Sequence, residues 1–381
     1  MKNSFCILIF ISLFCLTILD SFCVPPPVPR PAHNTGTGFF VKNGKIYDNR
    51  GKRFIMRGVN HTCFWGYQEH NLEAITSDSG IVKSGANAVR LIFPRIDTVN
   101  HYGMDEVLEK RRAIIAVIAK RMVPIVEYHY NLESSDRTST DFLRSLVTEI
   151  TQPAMRNLLR QYESKIILNI ANEWGNNDVA WRTAYMQAIT RIRNAGIRCL
   201  IMIDAGGNYG QNPNSLASYA NPIFNSDPQR NIVFSLHMYA YWVSPSMNIP
   251  SNQWFDPENQ CTTPNCSPYD ISTQLRRIRA LRPNLPLIIG EFSWEGCITD
   301  NLVAYKTEEL MQVAQDLNLG WLAWSWYQNT EHPCLDMLKK DSAGNSIWLY
   351  RTNDDLTDFG KLIINHSVLG LRATARRPNI F

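Results

Sequence analysis

Lys165-Ile166-Ile167-Leu168-Asn169-Ile170-Ala171-Asn172-Glu173 is an apolar run that stops on a carboxylate. Leu285-Pro286-Leu287-Ile288-Ile289-Gly290-Glu291-Phe292 closes in the same way, on Glu291. Short, nearly continuous apolar runs read as strands buried on both faces, which is the signature of a parallel sheet rather than a half-exposed one. Working outward, six further runs lie at 54–61, 86–93, 122–130, 199–204, 231–239 and 320–326, which makes eight. Stretches with helical spacing separate them at 104–121, 141–162, 179–195, 271–281 and 302–317. Eight strands alternating with helices predict an α/β fold of the closed (β/α)8 TIM barrel type. An open doubly wound sheet is the poorer fit, since no Gly-x-Gly-x-x-Gly opens a helix after the first run. Residues 39–52, with the turn Asp48-Asn49-Arg50-Gly51, predict a short hairpin closing the barrel bottom.

The rest of the 381-residue chain fits around that barrel. Lys2 supplies a basic start, residues 7–19 form an apolar core too short to span a bilayer comfortably, and Ser21-Phe22-Cys23 offers an exit. Residues 1–23 therefore read as a secretory signal peptide, followed by a Pro-rich linker at 24–35 and the barrel domain at 36–381. A secreted, extracellular protein that touches no membrane after signal cleavage is the expectation, and a monomer. The mature chain then keeps Cys63, Cys199, Cys261, Cys266, Cys297 and Cys334, an even set for an oxidising compartment. The pairings expected are Cys261 with Cys266 and Cys297 with Cys334, with Cys199 as a buried thiol. Sequons stand at Asn60, Asn265 and Asn365. A net charge of +4 without long Lys/Arg runs argues against a nucleic-acid partner. Closely spaced Cys-x-x-Cys or His partners, which a zinc site would want, are absent, and no metal or organic cofactor is expected. Residues 241–269, rich in Pro, Asn and Cys, read as a long loop after the sixth strand and a wall of the active face. Ten tryptophans, several beside strand ends, suit ligands with one apolar face, such as sugar rings.

In such barrels the chemistry stands at the C-terminal ends of the strands. Those positions hold Asn60 and His61, Arg90, His129, Asn172 and Glu173, Asp204, His237 and Tyr239, Glu291, and Trp324 and Trp326. Any one of them alone is ordinarily a satisfied structural group. Together they form a dense polar set that must be mutually hydrogen-bonded or held for a substrate. The set resembles glycoside hydrolase family 5: Asn172-Glu173 closing strand four, Gly290-Glu291-Phe292 closing strand seven, Ala88-Val89-Arg90, His129, His237-Met238-Tyr239 and Trp324. The likeness runs from about residue 39 to 359. Arg57-Gly58-Val59-Asn60-His61, Ser235-Leu236-His237-Met238-Tyr239 and Gly320-Trp321-Leu322-Ala323-Trp324-Ser325-Trp326 look most like its endo-β-1,4-mannanase branch of bacterial and invertebrate type. Trp174 stands where the family commonly has proline, and Tyr130 follows His129 where that branch often has an acidic residue.

The resemblance implies a retaining pair, with Glu291 as nucleophile and Glu173 as acid/base. It also implies Arg90 and Tyr239 on Glu291, and Asn172 on the sugar 2-hydroxyl. His129 and His237 would hold the sugar and Glu173, and Trp324 would lie beneath the sugar with Trp326 as its neighbour. Asp204 and Glu127 are read as supporting groups outside the site. Trp65, Trp174, Trp242 and Trp294 are candidates for distant subsites. The function expected is a secreted endo-β-1,4-mannanase acting on mannan-type polysaccharide. An endo-β-1,4-glucanase on the same scaffold is one alternative, and a non-catalytic glycan-binding protein is another.

Overall fold

The computed structural model describes residues 26–63, 68–94, 105–129, 136–239, 271–295, 297, 306–329 and 332–381. A two-stranded antiparallel hairpin, β1 (Phe40–Lys42) and β2 (Lys45–Tyr47), precedes a closed parallel barrel. The barrel strands are β3 (Arg57–Thr62), β4 (Ala88–Pro94), β5 (Val123–His129), β6 (Ile167–Asn169), β7 (Leu200–Asp204), β8 (Ile232–Met238), β9 (Leu287–Phe292) and β10 (Gly320–Ala323). They pair in chain order, and β10 closes onto β3. All eight expected staves are present; Glu173 follows the fourth, and Glu291 lies at the end of the seventh.

Alternate residues of each strand serve two different cores. Ala88, Val123, Ile125, Ile167, Leu200, Met202, Val233, Ile288 and Leu322 fill the barrel interior with Phe39, Val41 and Ile46 of the hairpin. Val89, Val126, Leu168, Ile201 and Ile289 face the surrounding helices instead. Burial on both faces is the physical reason for the continuous apolar runs. The hairpin closes the bottom, as its turn residues predict.

The helices are α1 (Gln68–Thr76), α2 (Glu106–Ala119), α3 (Thr140–Thr151), α4 (Pro153–Tyr162), α5 (Val179–Asn194), α6 (Pro213–Ser226), α7 (Ile271–Leu281), α8 (Thr307–Asp316), α9 (Asp358–Asn365) and α10 (Leu371–Thr374). The single helix expected at 141–162 is two. Gln152, before Pro153, is extended at φ −53°, ψ 143°, because a proline ring crowds a helical predecessor. Helix α6 escapes sequence periodicity, since prolines and asparagines interrupt its apolar face. No helix among the described residues is long and apolar enough to cross a membrane.

Several sequence expectations meet the structure here. Cys297 is bonded to Cys334, tying the loop after β9 to the turn Pro333–Leu335. Cys63 and Cys199 are buried free thiols. Residues 26–35 lie on the barrel: Val28 N donates to Gly51 O at 2.9 Å and Thr35 N to the Gln229 side chain at 2.7 Å. The Asn60 sequon is inaccessible, because Asn60 is fully buried inside the barrel and donates to Gly290 O. Residues 1–23, Trp65, Tyr130 and the 241–269 loop with Trp242, Cys261, Asn265 and Cys266 lie outside the described residues.

Phe39 is 1% exposed, with its ring 4.9 Å from that of Phe54 in the bottom plug. Phe39→Ala should destabilise the fold by about 3–5 kcal/mol in urea unfolding.

Candidate active site

The mouth is organised around Arg90, whose inward position on β4 places a guanidinium inside the barrel with no exposure. Its Nε donates to Asn169 Oδ1 at 2.8 Å, Nη1 to Asn60 Oδ1 at 3.1 Å and Glu291 Oε1 at 2.6 Å, and Nη2 to Asn172 Oδ1 at 2.8 Å and Asp204 Oδ2 at 3.4 Å. Five N–H groups thus meet five acceptors, which is what makes burial of this charge tolerable. Burial opposes the charge, but Glu127, Asp204 and Glu291 outweigh it and raise Arg90 above its ordinary pKa.

Glu291 reaches this network through a local irregularity. Leu236 pairs with Ile289 and His237 with Glu291, so Gly290 is an extra residue bulged between them. A Cβ on Gly290 would stand 1.9 Å from Ser235 Oγ, and only glycine allows the approach. Glu291 then accepts from Arg90 on Oε1 and from Tyr239 Oη on Oε2 at 2.8 Å, as the resemblance implies. Burial pushes the Glu291 pKa up and Glu173 adds to the rise. The charges of His237 and Arg90 pull against it, and the net direction is upward.

Glu173 comes from a turn, four residues past the end of β6, where the strand was expected to continue. Its backbone is left-handed at φ 49°, and its N–H is held by Asp204 Oδ2 at 3.0 Å. A non-glycine residue in that region is strained and persists only when its surroundings dictate it. Its Oε1 meets His237 Nδ1 at 2.7 Å, and the same nitrogen lies 3.4 Å from Glu291 Oε2. His237 Nε2 lies 3.5 Å from Asp204 Oδ2. Burial alone would neutralise this imidazole, but the charges of Glu291 and Asp204 and the hydrogen bonds it donates to Asp204 and Glu173 raise it to about 10. Burial would likewise raise Asp204, yet the His237 and Arg90 charges and the Glu173 N–H hold it well below the usual carboxylate range.

Asp204, set aside in the sequence reading, is therefore central. Asn169 was missed outright. The available signal was alternation: Ile167 faces the barrel interior, so Asn169 must too, and a polar side chain there needs a partner. His129 sits 3.4 Å from Glu127 and stacks near Trp324, with ring centroids 5.9 Å apart. Trp324 packs with Ile92 and Leu335, and its Nε1 donates to Asn329 Oδ1 at 3.1 Å. Asn329 is in turn held by Asp336 and Ser325.

Two tryptophan expectations are corrected. Trp326 is fully buried among the outer core residues and donates to Trp348 O, because β10 ends at Ala323 and strand alternation does not carry on to it. Trp174 is buried and donates to Ser139 O. Trp294 is half-buried, with its ring packed near that of Phe359. His61 also faces outward, where Nε2 meets Asn71 O and burial lowers its pKa to about 4.

Glu173, His237 and Glu291 each present a ligand atom within 4.8 Å of the other two, a spacing that a cation could bridge. These donors are already engaged as an ion-pair network, with Arg90 on Glu291 and His237 between Glu173 and Glu291.

A closed (β/α)8 barrel with two carboxyl groups facing across its mouth defines a barrel glycoside hydrolase. The family model described as cellulase (glycosyl hydrolase family 5) matches residues 47–330, and the chain belongs to that family. It is 32% identical to a Salipaludibacillus agaradhaerens protein named mannan endo-1,4-beta-mannosidase, over 90% of this chain and 96% of the relative. A Cellvibrio japonicus (strain Ueda107) protein of the same name is 29% identical, over 92% of this chain and 71% of that one. Among solved structures, the mannohexaose complex of Thermomonospora fusca beta-mannanase superposes with a TM-score of 0.67 at 28% identity, covering 90% of this chain and 99% of that one.

The raised His237 contributes stability that is fully present below its ordinary value of 6.5 and lost as pH rises through about 10. Asp204→Asn removes one of the carboxylates that hold this charge. By NMR, His237 should then titrate at lower pH, and at neutral pH denaturant unfolding should show a loss of about 3–5 kcal/mol.

Proposed function

We propose that this chain is a secreted endo-β-1,4-mannanase that cleaves mannan-type polysaccharide with retention of configuration. The observation that carries the reading is the spacing of the pair: one oxygen each of Glu173 and Glu291 lies within 4.8 Å of the other, around His237. Retaining enzymes separate their carboxyls by roughly 5–5.5 Å, whereas inverting ones need ~6.5–9.5 Å to seat a water between carboxyl and sugar. Membership of the family and the mannanase names of relatives aligned over most of the chain support the substrate.

Each residue then has a task. Arg90 and Tyr239 bind both oxygens of Glu291, so its remaining lone pairs are aimed and the carboxylate is ready to attack the anomeric carbon. His237 fixes Glu173 by Oε1, which leaves the other oxygen to deliver a proton to the departing glycosidic oxygen. When the glycosyl–enzyme ester forms, the charge on Glu291 disappears. Glu173 can then take a proton from water, which releases the sugar. Asn172, with its Oδ1 turned to Arg90, presents its amide edge toward the sugar 2-hydroxyl. Trp324 and His129 form the wall on which that sugar rests. Secretion rests on the charged start, apolar core and short exit of residues 1–23.

Glu173→Gln and Glu291→Gln should each lower kcat by about 100- to 10,000-fold while sugar binding by calorimetry survives; full activity in either variant would refute the assignment. Reducing ends should be released from galactomannan, and the first product should be the β anomer. Release from carboxymethylcellulose alone would move the substrate to β-1,4-glucan. Expressed in a secreting host, the mature chain should begin at Val24 by N-terminal sequencing.

A further inference from the structure

The N-terminal ends of the barrel strands, opposite the mouth, carry a cleft lined by three cations and no carboxylate. Lys45 of β2, Arg53 in the link from the hairpin to β3, and Arg279 of α7 line it, with Asn318 and with Leu287, the first residue of β9. It spans about 290 Å³, at the lower edge of the usual ligand-pocket range of roughly 300–1,000 Å³. That size suits a small polyatomic ion.

The two guanidiniums share this cleft without an opposing charge. Arg279 is held below its ordinary pKa by burial and by the charge of Arg53. Burial lowers Arg53 as well, against a hydrogen bond with Tyr47, and no carboxylate among the described residues ion-pairs with either arginine. Arg279 Nη1 donates to Pro283 O at 3.1 Å and to Leu285 O at 2.9 Å, whereas its buried Nε meets no acceptor among the described residues. Arg53 Nη2 reaches Asn318 O at 3.3 Å. The walls are fixed: Gly44, left-handed at φ 70° in the hairpin turn, packs so closely on Asn284 that a Cβ would stand 2.7 Å from its backbone. A second like-charged pair lies at the same end, where burial and the charge of Arg121, two residues before β5, lower the pKa of Arg377.

We propose that the cleft between Arg53 and Arg279 is a seat for a tetrahedral oxyanion of sulfate or phosphate type, carried free or as an ester on a polyanionic glycan. Guanidinium forks match the oxygens of such a group two at a time. The anion turns a repulsion between two cations into two attractions, and it gives Arg279 Nε the acceptor that the chain does not supply. Because the seat lies at the end opposite the mouth, a glycan held there tethers the protein without filling the groove.

Calorimetry with sodium sulfate, at an ionic strength held constant with sodium chloride, should show saturable binding. Arg53 is an exposed side chain, so Arg53→Gln spares the core, and Arg279→Lys keeps the charge without the fork. Each should weaken sulfate binding about tenfold. Lys361→Gln, which removes an exposed cation of α9 outside the cleft, should leave it unchanged. No saturable binding, or equal affinity in Arg53→Gln and the unaltered protein, would overturn the seat. Dextran sulfate separates the two sources. If it binds, is displaced by free sulfate and is weakened by Arg53→Gln, the seat takes an ester on a glycan; if only the free ion binds, the seat is one for the free ion, and either result upholds it.

Discussion

The guanidinium of Arg90 is the group on which the mouth depends. A buried positive charge is tolerable only if every donor is met, and here the acceptors come from five places: Asn60 on β3, Asn169 on β6, Asn172 beyond it, Asp204 on β7 and Glu291 on β9. A single side chain therefore sets the relative positions of strands from around the barrel. Its fork geometry matters as much as its charge, because a lysine ammonium could not span so many directions.

His237 plays the complementary part. It lies among Glu173, Glu291 and Asp204, and a cation in that position keeps carboxyl groups close that would otherwise repel one another. Asp204 joins the two cationic centres, since it contacts both Arg90 and His237 and also pins the strained backbone of Glu173. The two carboxylates of the pair thus differ in setting. Glu291 is gripped by Arg90 and a tyrosine hydroxyl, and Glu173 hangs from an imidazole at a turn.

Support extends outward from this layer. The Cys297–Cys334 bond ties the loop that follows Glu291 to the turn carrying Leu335, which packs on Trp324. Asp336 then holds Asn329, and Asn329 holds the indole N–H. Burial raises Asp336 to about 6, against the hydrogen bonds that it accepts from Asn329 and Gln328. On the far side, the loop carrying Tyr209 is threaded by backbone hydrogen bonds to the residues after Glu173.

The eight staves, the bottom hairpin, the two glutamates and the partners Arg90, His237 and Tyr239 were legible in the sequence by itself. Buried parallel strands must be apolar on both faces, and a carboxylate where such a run stops needs a reason. Cys297 with Cys334 was legible too. Tertiary structure alone decided what lies inward or outward beyond a strand's end: Trp326 turns into the outer core, while Asn169 and Asp204 turn into the network. It also decided the Gly290 bulge, which aligns Glu291 with His237, and the left-handed turns at Glu173 and Tyr209. Periodicity is a local property of one strand. These features depend on contacts between residues far apart in the chain, and only closure of the barrel brings them together.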